Sequence, residues 1–529
     1  MAEFSHPEIG KIKGIRDGKV LSFRGLKYAS LEHGFSDPMP LLNKAHGVVD
    51  ARTHGPTAIS PPMGCDMELG LIQKSLPHDS FKMSDTECLN LNLCIPAEQP
   101  STPIPVFVFF HGGGFMIGSN AWPQYDLARI VALGEEINQP VIGIQINYRL
   151  GVHGFLYSEA MGKAGIKPNR GLLDQRAALT WITENIAGFG GDPNKITVCG
   201  ESAGGVSAML HLQSNEPLYT QLVAMGGNSL VLNPIPLEVA EATYNTVLST
   251  LKIDPASSSE AQLCSILKLS PESWLQAIGP NVPMLPVVVG EIVRHFPTYA
   301  QWHQTEDEAN LPGRAWCRRI MIGDCQFDGS ILAYALMGKK AGISTSFRNS
   351  FLSSLNGNQN LVQAICTAYN ITDQISDDEA LSNILKFVTD LRFYASALTI
   401  SQGWPGSAYV YHFNEPNPWD GPWKGESTHI LDVAFLFQNF NQHLEPRQRE
   451  SARKFATDFI TFVAGEEPYA AYDSQEGGAQ VYGPPCENGP RFILGKDPEN
   501  YLRRKHVWDI ATEADLDTLS RAFDKFIAS

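Results

Sequence analysis

The stretch from Lys195 to Gly205, KITVCGESAGG, constrains this chain more than any other. Ile196-Thr197-Val198 is a β-branched run that reads as a buried strand. Gly200-Glu201-Ser202-Ala203-Gly204 follows as a G-x-S-x-G turn, and the apolar run Val206 to Leu212 then reads as a helix. Strand, sharp turn and helix together hold a serine at the tip of a strained elbow with its hydroxyl exposed. The flanking glycines remove the Cβ atoms that would clash there. Ser202 is therefore the candidate nucleophile, and the fold has to supply a strand that feeds directly into a helix.

Other strands and helices alternate around this segment. Val106 to Phe110, Val141 to Ile146, Ile196 to Cys199, Arg319 to Ile322 and Ala408 to Phe413 all read as strands. Gly171 to Asn185 carries apolar residues at helical spacing. This alternation predicts an α/β fold, a large and mostly parallel sheet wound on both sides by helices. The first hundred residues read as β-rich and full of turns. Residues from about 215 to 310 and from about 330 to 405 read as helical, loop-rich insertions that cover the strand ends. No long linker, repeat or low-complexity tract interrupts the 529 residues, so residues 1–529 are expected to form a single domain.

Charge and cysteine usage exclude several classes. Lys plus Arg number 40 against 56 Asp plus Glu, a net charge of −16, and there is no basic stripe, so nucleic acid is not an expected partner. The N-terminal MAEFSHPEIGKIKG lacks the apolar run of a secretory signal, and no run approaches the ~18 apolar residues of a membrane span. The expectation is a cytoplasmic protein without a membrane anchor. The nine cysteines show no C-x-x-C pair and no metal-ligand spacing, so no metal is expected.

The remaining chemistry follows strands. His111-Gly112-Gly113-Gly114-Phe115 comes directly after VFVFF, and a glycine run lets backbone N–H groups face outward. Gly113 and Gly114, with Ala203 after the nucleophile, are the natural donors for an oxyanion. His111 precedes both Ser202 and the acid and reads as a structural hydrogen-bonding residue. The acid should follow a later strand, where Asp324 and Asp328 compete. Asp328 lies further out on the turn, before a glycine, and is favoured. Of the later histidines, His412 lies inside the strand-like AYVYHF, while His443 and His506 stand among charged residues. His429 lies in a Gly/Pro-rich loop and is the candidate base. Glu201 reads as support for His429, as an attractor of cations, or as a surface carboxylate; the first is favoured.

Together these motifs resemble the type-B carboxylesterase and cholinesterase family of α/β-hydrolases. The resemblance rests on TECLNLNL (Thr86 to Leu93), HGGGFMIGS (His111 to Ser119), NYRLGVHGFL (Asn147 to Leu156), the long segment from Gly171 to Gly205, and ESTHILDVAFLF (Glu426 to Phe437). It implies a Ser202–His429–Asp328 triad, with aspartate where the family usually has glutamate, and an oxyanion hole of Gly113, Gly114 and Ala203. It implies hydrolysis of carboxylic esters through an acyl-enzyme without a cofactor. The alternative on the same machinery is acyl transfer or lactone-forming cyclisation. It implies a disulfide between Cys65 and Cys88, which a reducing cytosol would oppose. Family members often carry serine at Gly226, a hydroxyl that Ser229 could replace. The stretch from Cys65 to Cys88 lacks the tryptophan with which acetylcholinesterase-like members hold choline, so an uncharged, apolar ester is expected. Phe115, Met116, Ile117, Leu69, Leu71 and Ile72 are the expected pocket wall, with Trp419 and Trp423 on the rim.

Overall fold

Among the described residues, parallel strands β1 (Ile104–Phe110), β2 (Ile142–Ile146), β3 (Gly191–Glu201), β4 (Gln221–Met225), β5 (Arg319–Cys325), β6 (Ser407–Phe413) and β7 (Ala479–Tyr482) stand in the order β2-β1-β3-β4-β5-β6-β7. The structure is a computed structural model that describes residues 2–529 except 42–46, 99, 279–281, 283, 305–310 and 487. Antiparallel strands extend both edges. Asn90–Pro96 pairs with β2 and leads outward to Val20–Lys27, Gly10–Asp17 and Ala2–His6, while Arg491–Ile493 closes the sheet against β7.

The central strands are near-continuous apolar runs because both faces of a parallel sheet are covered. Side chains alternate between the faces. Val106, Val108 and Phe110 of β1 enter one hydrophobic cluster, and Phe107 and Phe109 enter the other. Helices α1 (Gly64–Ile72), α2 (Ala128–Glu136), α3 (Arg170–Asn185), α4 (Ala203–Leu210) and α5 (Pro446–Val463) supply the partners. Leu172 and Ile182 of α3 and Val206 of α4 pack in the first cluster. Ile130 of α2 and Phe455 and Phe459 of α5 pack in the second. This is the α/β-hydrolase arrangement.

Two strands escape the sequence pattern. β4, QLVAM, is completely buried and pairs with the elbow strand β3, yet it lies inside the stretch read as insertion. β7 is only AQVY. β7 carries too few residues to show a period, and β4, though as long as β2, is set within a stretch dominated by helical patterns. The other described residues of those stretches are helices and loops as expected, among the helices Leu237–Thr250, Ser259–Leu267, Ile343–Ser354, Gln359–Ala368 and Asp377–Val388.

One buried ion pair fixes the segment after β2 against α3. The Arg149 guanidinium donates to both carboxylate oxygens of Asp174, at 2.8 and 2.7 Å, and also to the carbonyls of Gly34 and Ser36 at 3.0 and 2.7 Å. Both side chains are almost wholly inaccessible. Asp174→Ala leaves the guanidinium buried without a counter-charge, so it should cost about 3–5 kcal/mol of stability. Denaturant unfolding measures this; a loss below ~1 kcal/mol would show that the pair is not a keystone of the fold.

Candidate active site

The candidate residues gather beyond the carboxyl ends of the parallel strands, where open α/β sheets place their sites. Ser202 sits between the last residue of β3 and the first of α4, with φ 51° and ψ −125°. A non-glycine residue in that region costs about 1–3 kcal/mol and persists only when its surroundings enforce it. Here the enforcing contact is Gly204, where a Cβ would come 2.0 Å from the Phe110 carbonyl oxygen. Strand β1 and helix α4 approach so closely that only glycine fits, and this holds the turn shut. Ser202 remains half-buried while Glu201 and Ala203 are buried on either side.

The loop after β1 turns through positive φ at Gly113 (90°), Gly114 (60°) and Phe115 (63°). Gly113 and Gly114 are half-buried, and among the described residues no acceptor meets either N–H. Ala203 opens α4, where backbone N–H groups lack helical partners. His111 is buried with its Nδ1 3.0 Å from the Gly112 carbonyl, its ring stacked 4.4 Å from Tyr148. Burial pushes its pKa down to about 4. It props the loop.

The two competing aspartates separate cleanly. Asp328 opens the turn after β5, and its Oδ1 accepts from Nδ1 of His429 at 2.7 Å while Oδ2 accepts from the Cys325 N–H at 2.6 Å. Asp324 faces elsewhere, with Oδ1 2.6 Å from Nδ1 of His412 and Oδ2 accepting from Nε of Arg503 at 2.8 Å. The His429 loop is pinned beside Asp328: the His429 N–H donates to Ser330 Oγ at 3.1 Å, and Phe327 N–H donates to the Ser427 carbonyl at 2.8 Å. Phe393 lies edge-on to the imidazole, its centroid 5.7 Å away.

Carboxyl groups crowd the other side of the imidazole. Glu201 Oε1 approaches His429 Nε2 to 3.0 Å, out of line for a hydrogen bond. Burial alone would push the imidazole down; Glu201 and then Asp328 outweigh it and hold His429 above the usual imidazole range. Glu68 and Asp432 were not singled out by the sequence. Glu68 of α1 accepts from Gln124 Nε2 at 2.9 Å and from the Tyr125 hydroxyl, and burial with Glu201 nearby raises it to about 8. Asp432 accepts from the Tyr411 hydroxyl at 2.7 Å and is raised to about 7 by burial and by Asp328. Neither residue belongs to a recognisable spacing, so only the folded chain reveals them.

Several expectations for the surroundings are corrected. Phe115 does not line a pocket: it is fully buried, edge-on to Phe155 at 4.8 Å, because its positive φ turns the side chain into the core. Leu69 and Ile72 point into the second hydrophobic cluster, whereas Leu71, Met116 and Ile117 are half-buried. The Cys65–Cys88 disulfide is absent and both thiols are free. Cys65 packs in one cluster, 3.8 Å from Gln124 Oε1, and Cys88 packs in the other. Burial pushes each thiol up to about 12. Ser229 Oγ accepts from the Trp302 indole at 2.9 Å. Gly226 has φ 48°, and a Cβ there would lie 3.1 Å from Asp328 Oδ1. Trp419 is a loop anchor packed on Phe440, while Trp423 is half-buried and edge-on to Phe327, the residue before Asp328.

The pattern of the carboxylesterase family matches residues 3–491. The chain belongs to that family. It is 36% identical over 449 residues to the para-nitrobenzyl esterase of Bacillus subtilis (strain 168), spanning 82% of each chain. It is 27% identical over 389 residues to lipase 5 of Diutina rugosa, spanning 69% of each. A solved PNB esterase superposes with a TM-score of 0.71 at 24% identity, covering 94% of this chain and 98% of the other. A thermophilic PNB esterase gives 0.72 at 24%, covering 95% and 99%. This carboxylesterase is accordingly a carboxylic ester hydrolase of the α/β-hydrolase fold.

Proposed function

We propose that this carboxylesterase cleaves uncharged, apolar esters through an acyl-enzyme formed on Ser202. The observation that carries the reading is the 2.7 Å contact between Asp328 and His429, beside a serine held in a strained elbow. Nε2 of His429 takes the Ser202 proton as Oγ attacks the ester carbonyl. The tetrahedral oxyanion rests on the N–H groups of Gly113, Gly114 and Ala203. His429 returns the proton to the departing alcohol, and water then releases the acid by the reverse path. Asp328 holds the imidazole in the tautomer that leaves Nε2 toward the serine and stabilises the imidazolium as it forms.

The preference for neutral substrates is supported by the half-buried apolar side chains of Met116, Ile117 and Leu71. It is also supported by similarity to an esterase named for a benzyl ester and to lipases. The buried acids weaken the case for a cation. Glu68 at about 8 is largely neutral at physiological pH and offers no fixed charge. The test compares kcat/KM for a neutral alkyl ester and an acylcholine of equal acyl length. The neutral ester should win by roughly tenfold or more, about 1.4 kcal/mol in the transition state; a preference for the choline ester would overturn the substrate class and leave the triad standing.

Glu201 gives a pH prediction. A general base works only when neutral, so kcat/KM falls as the pH drops through the His429 pKa. Glu201 is the strongest of the groups raising that pKa. Glu201→Gln removes the anion that favours the imidazolium, so the acid inflection should move to lower pH. An inflection that stays in place would show that Glu201 carries no charge in the working enzyme.

A further inference from the structure

A second aspartate–histidine pair lies outside this reaction. His412 on β6 is fully buried, and its Nδ1 is 2.6 Å from Asp324, whose charge is met by Arg503 at 2.8 Å. Burial keeps the imidazole neutral more strongly than Asp324 favours its charge. The Nδ1–H then donates to Asp324, and Nε2 carries a lone pair. Among the described residues no donor reaches that nitrogen. Buried acceptors are normally paired, and one left open calls for a partner.

His412 is also one of the residues lining a cleft of about 240 Å³, together with Tyr472, Tyr501, Trp508, Leu398 and Lys496. Tyr501 lies with its ring centroid 4.9 Å from that of His412. The volume is smaller than the ~300–1,000 Å³ of drug-sized pockets, which suits one or two fused rings. Aromatic walls favour an aromatic occupant. The buried acceptor selects its polar group. A carboxylate would set lone pair against lone pair, and an ammonium would have to leave water while Arg503 already balances Asp324. A neutral hydroxyl meets neither obstacle.

We propose that this cleft is a binding site for a neutral hydroxylated aromatic molecule, a phenol, whose O–H donates to Nε2 of His412 and whose ring packs on Tyr472, Tyr501 and Trp508. Asp324 is a positioning residue of this site: it fixes the tautomer that leaves Nε2 as an acceptor.

The full-length protein is titrated with 2-naphthol and with 2-methoxynaphthalene, which keeps the rings and lacks the donor. Saturable 2-naphthol binding is expected, with the methyl ether roughly tenfold weaker or worse. Leu398→Trp fills the cleft from its half-buried wall and should remove the 2-naphthol site while ester hydrolysis persists. Nitrogen NMR of the histidine side chains should show the His412 Nε2 resonance move with 2-naphthol, and this readout decides the matter in the wild-type protein if Leu398→Trp fails to fold. Equal affinity for the two ligands, binding untouched by Leu398→Trp, or a His412 resonance that does not move would each overturn the proposal.

Discussion

Ser202→Ala removes ester hydrolysis, by on the order of 10⁴-fold or more in kcat, and leaves the fold intact. The serine is half-buried at the head of α4, and its positive φ is imposed by the closeness of strand β1 and helix α4 at Gly204 rather than by the hydroxyl. Alanine meets the same backbone conformation, so thermal unfolding should stay within ~0.5 kcal/mol of the wild type, as for a substitution that disturbs no packing. Steady-state assays with a chromogenic ester and a melting curve on the same preparation measure both. Turnover near the wild-type level would remove Ser202 from the chemistry altogether.

The second large effect separates two aspartates four positions apart. Asp328→Asn should lower kcat by on the order of 10⁴-fold. An amide cannot stabilise the imidazolium, and it offers Nδ1 a donor as readily as an acceptor. Asp324→Asn should act on a different quantity. It strips the counter-charge from Arg503, which is itself fully inaccessible, and should cost about 3–5 kcal/mol of stability with a far smaller change in kcat. Measuring both properties for both variants gives a crossed result. If Asp324→Asn is the more damaging to turnover in correctly folded protein, the assignment of the acid is wrong.

That contrast also marks how far the sequence reaches. DCQFDG offers two carboxylates on one turn after one strand, and position along the turn favours Asp328. Only the folded chain supplies the partners that separate them. Asp324 lies in register with His412 on the neighbouring strand, whereas Asp328 has left the strand and meets the loop that carries His429. Register between strands joined by long insertions is not written in local spacing.

The sequence by itself determined the elbow, the glycine loop after β1, the placing of Ser202, Asp328 and His429 after three different strands, and an α/β sheet covered on both faces. Each is a local pattern: a β-branched run, a turn only glycine can make, an alternation of strand and helix. Tertiary structure alone decided what those patterns could not encode. β4 and β7 owe their place to pairing with their neighbours. Phe115 follows the glycine loop in sequence and turns into the core because the backbone there runs through positive φ. Cys65 and Cys88 fall in separate hydrophobic clusters, a partition that their spacing along the chain does not encode. Glu68 lies more than a hundred residues before Glu201, yet Glu201 sits close enough to help raise the Glu68 carboxyl. Interactions of that kind depend on distance through space in a medium that excludes water, and the folded chain alone sets that distance.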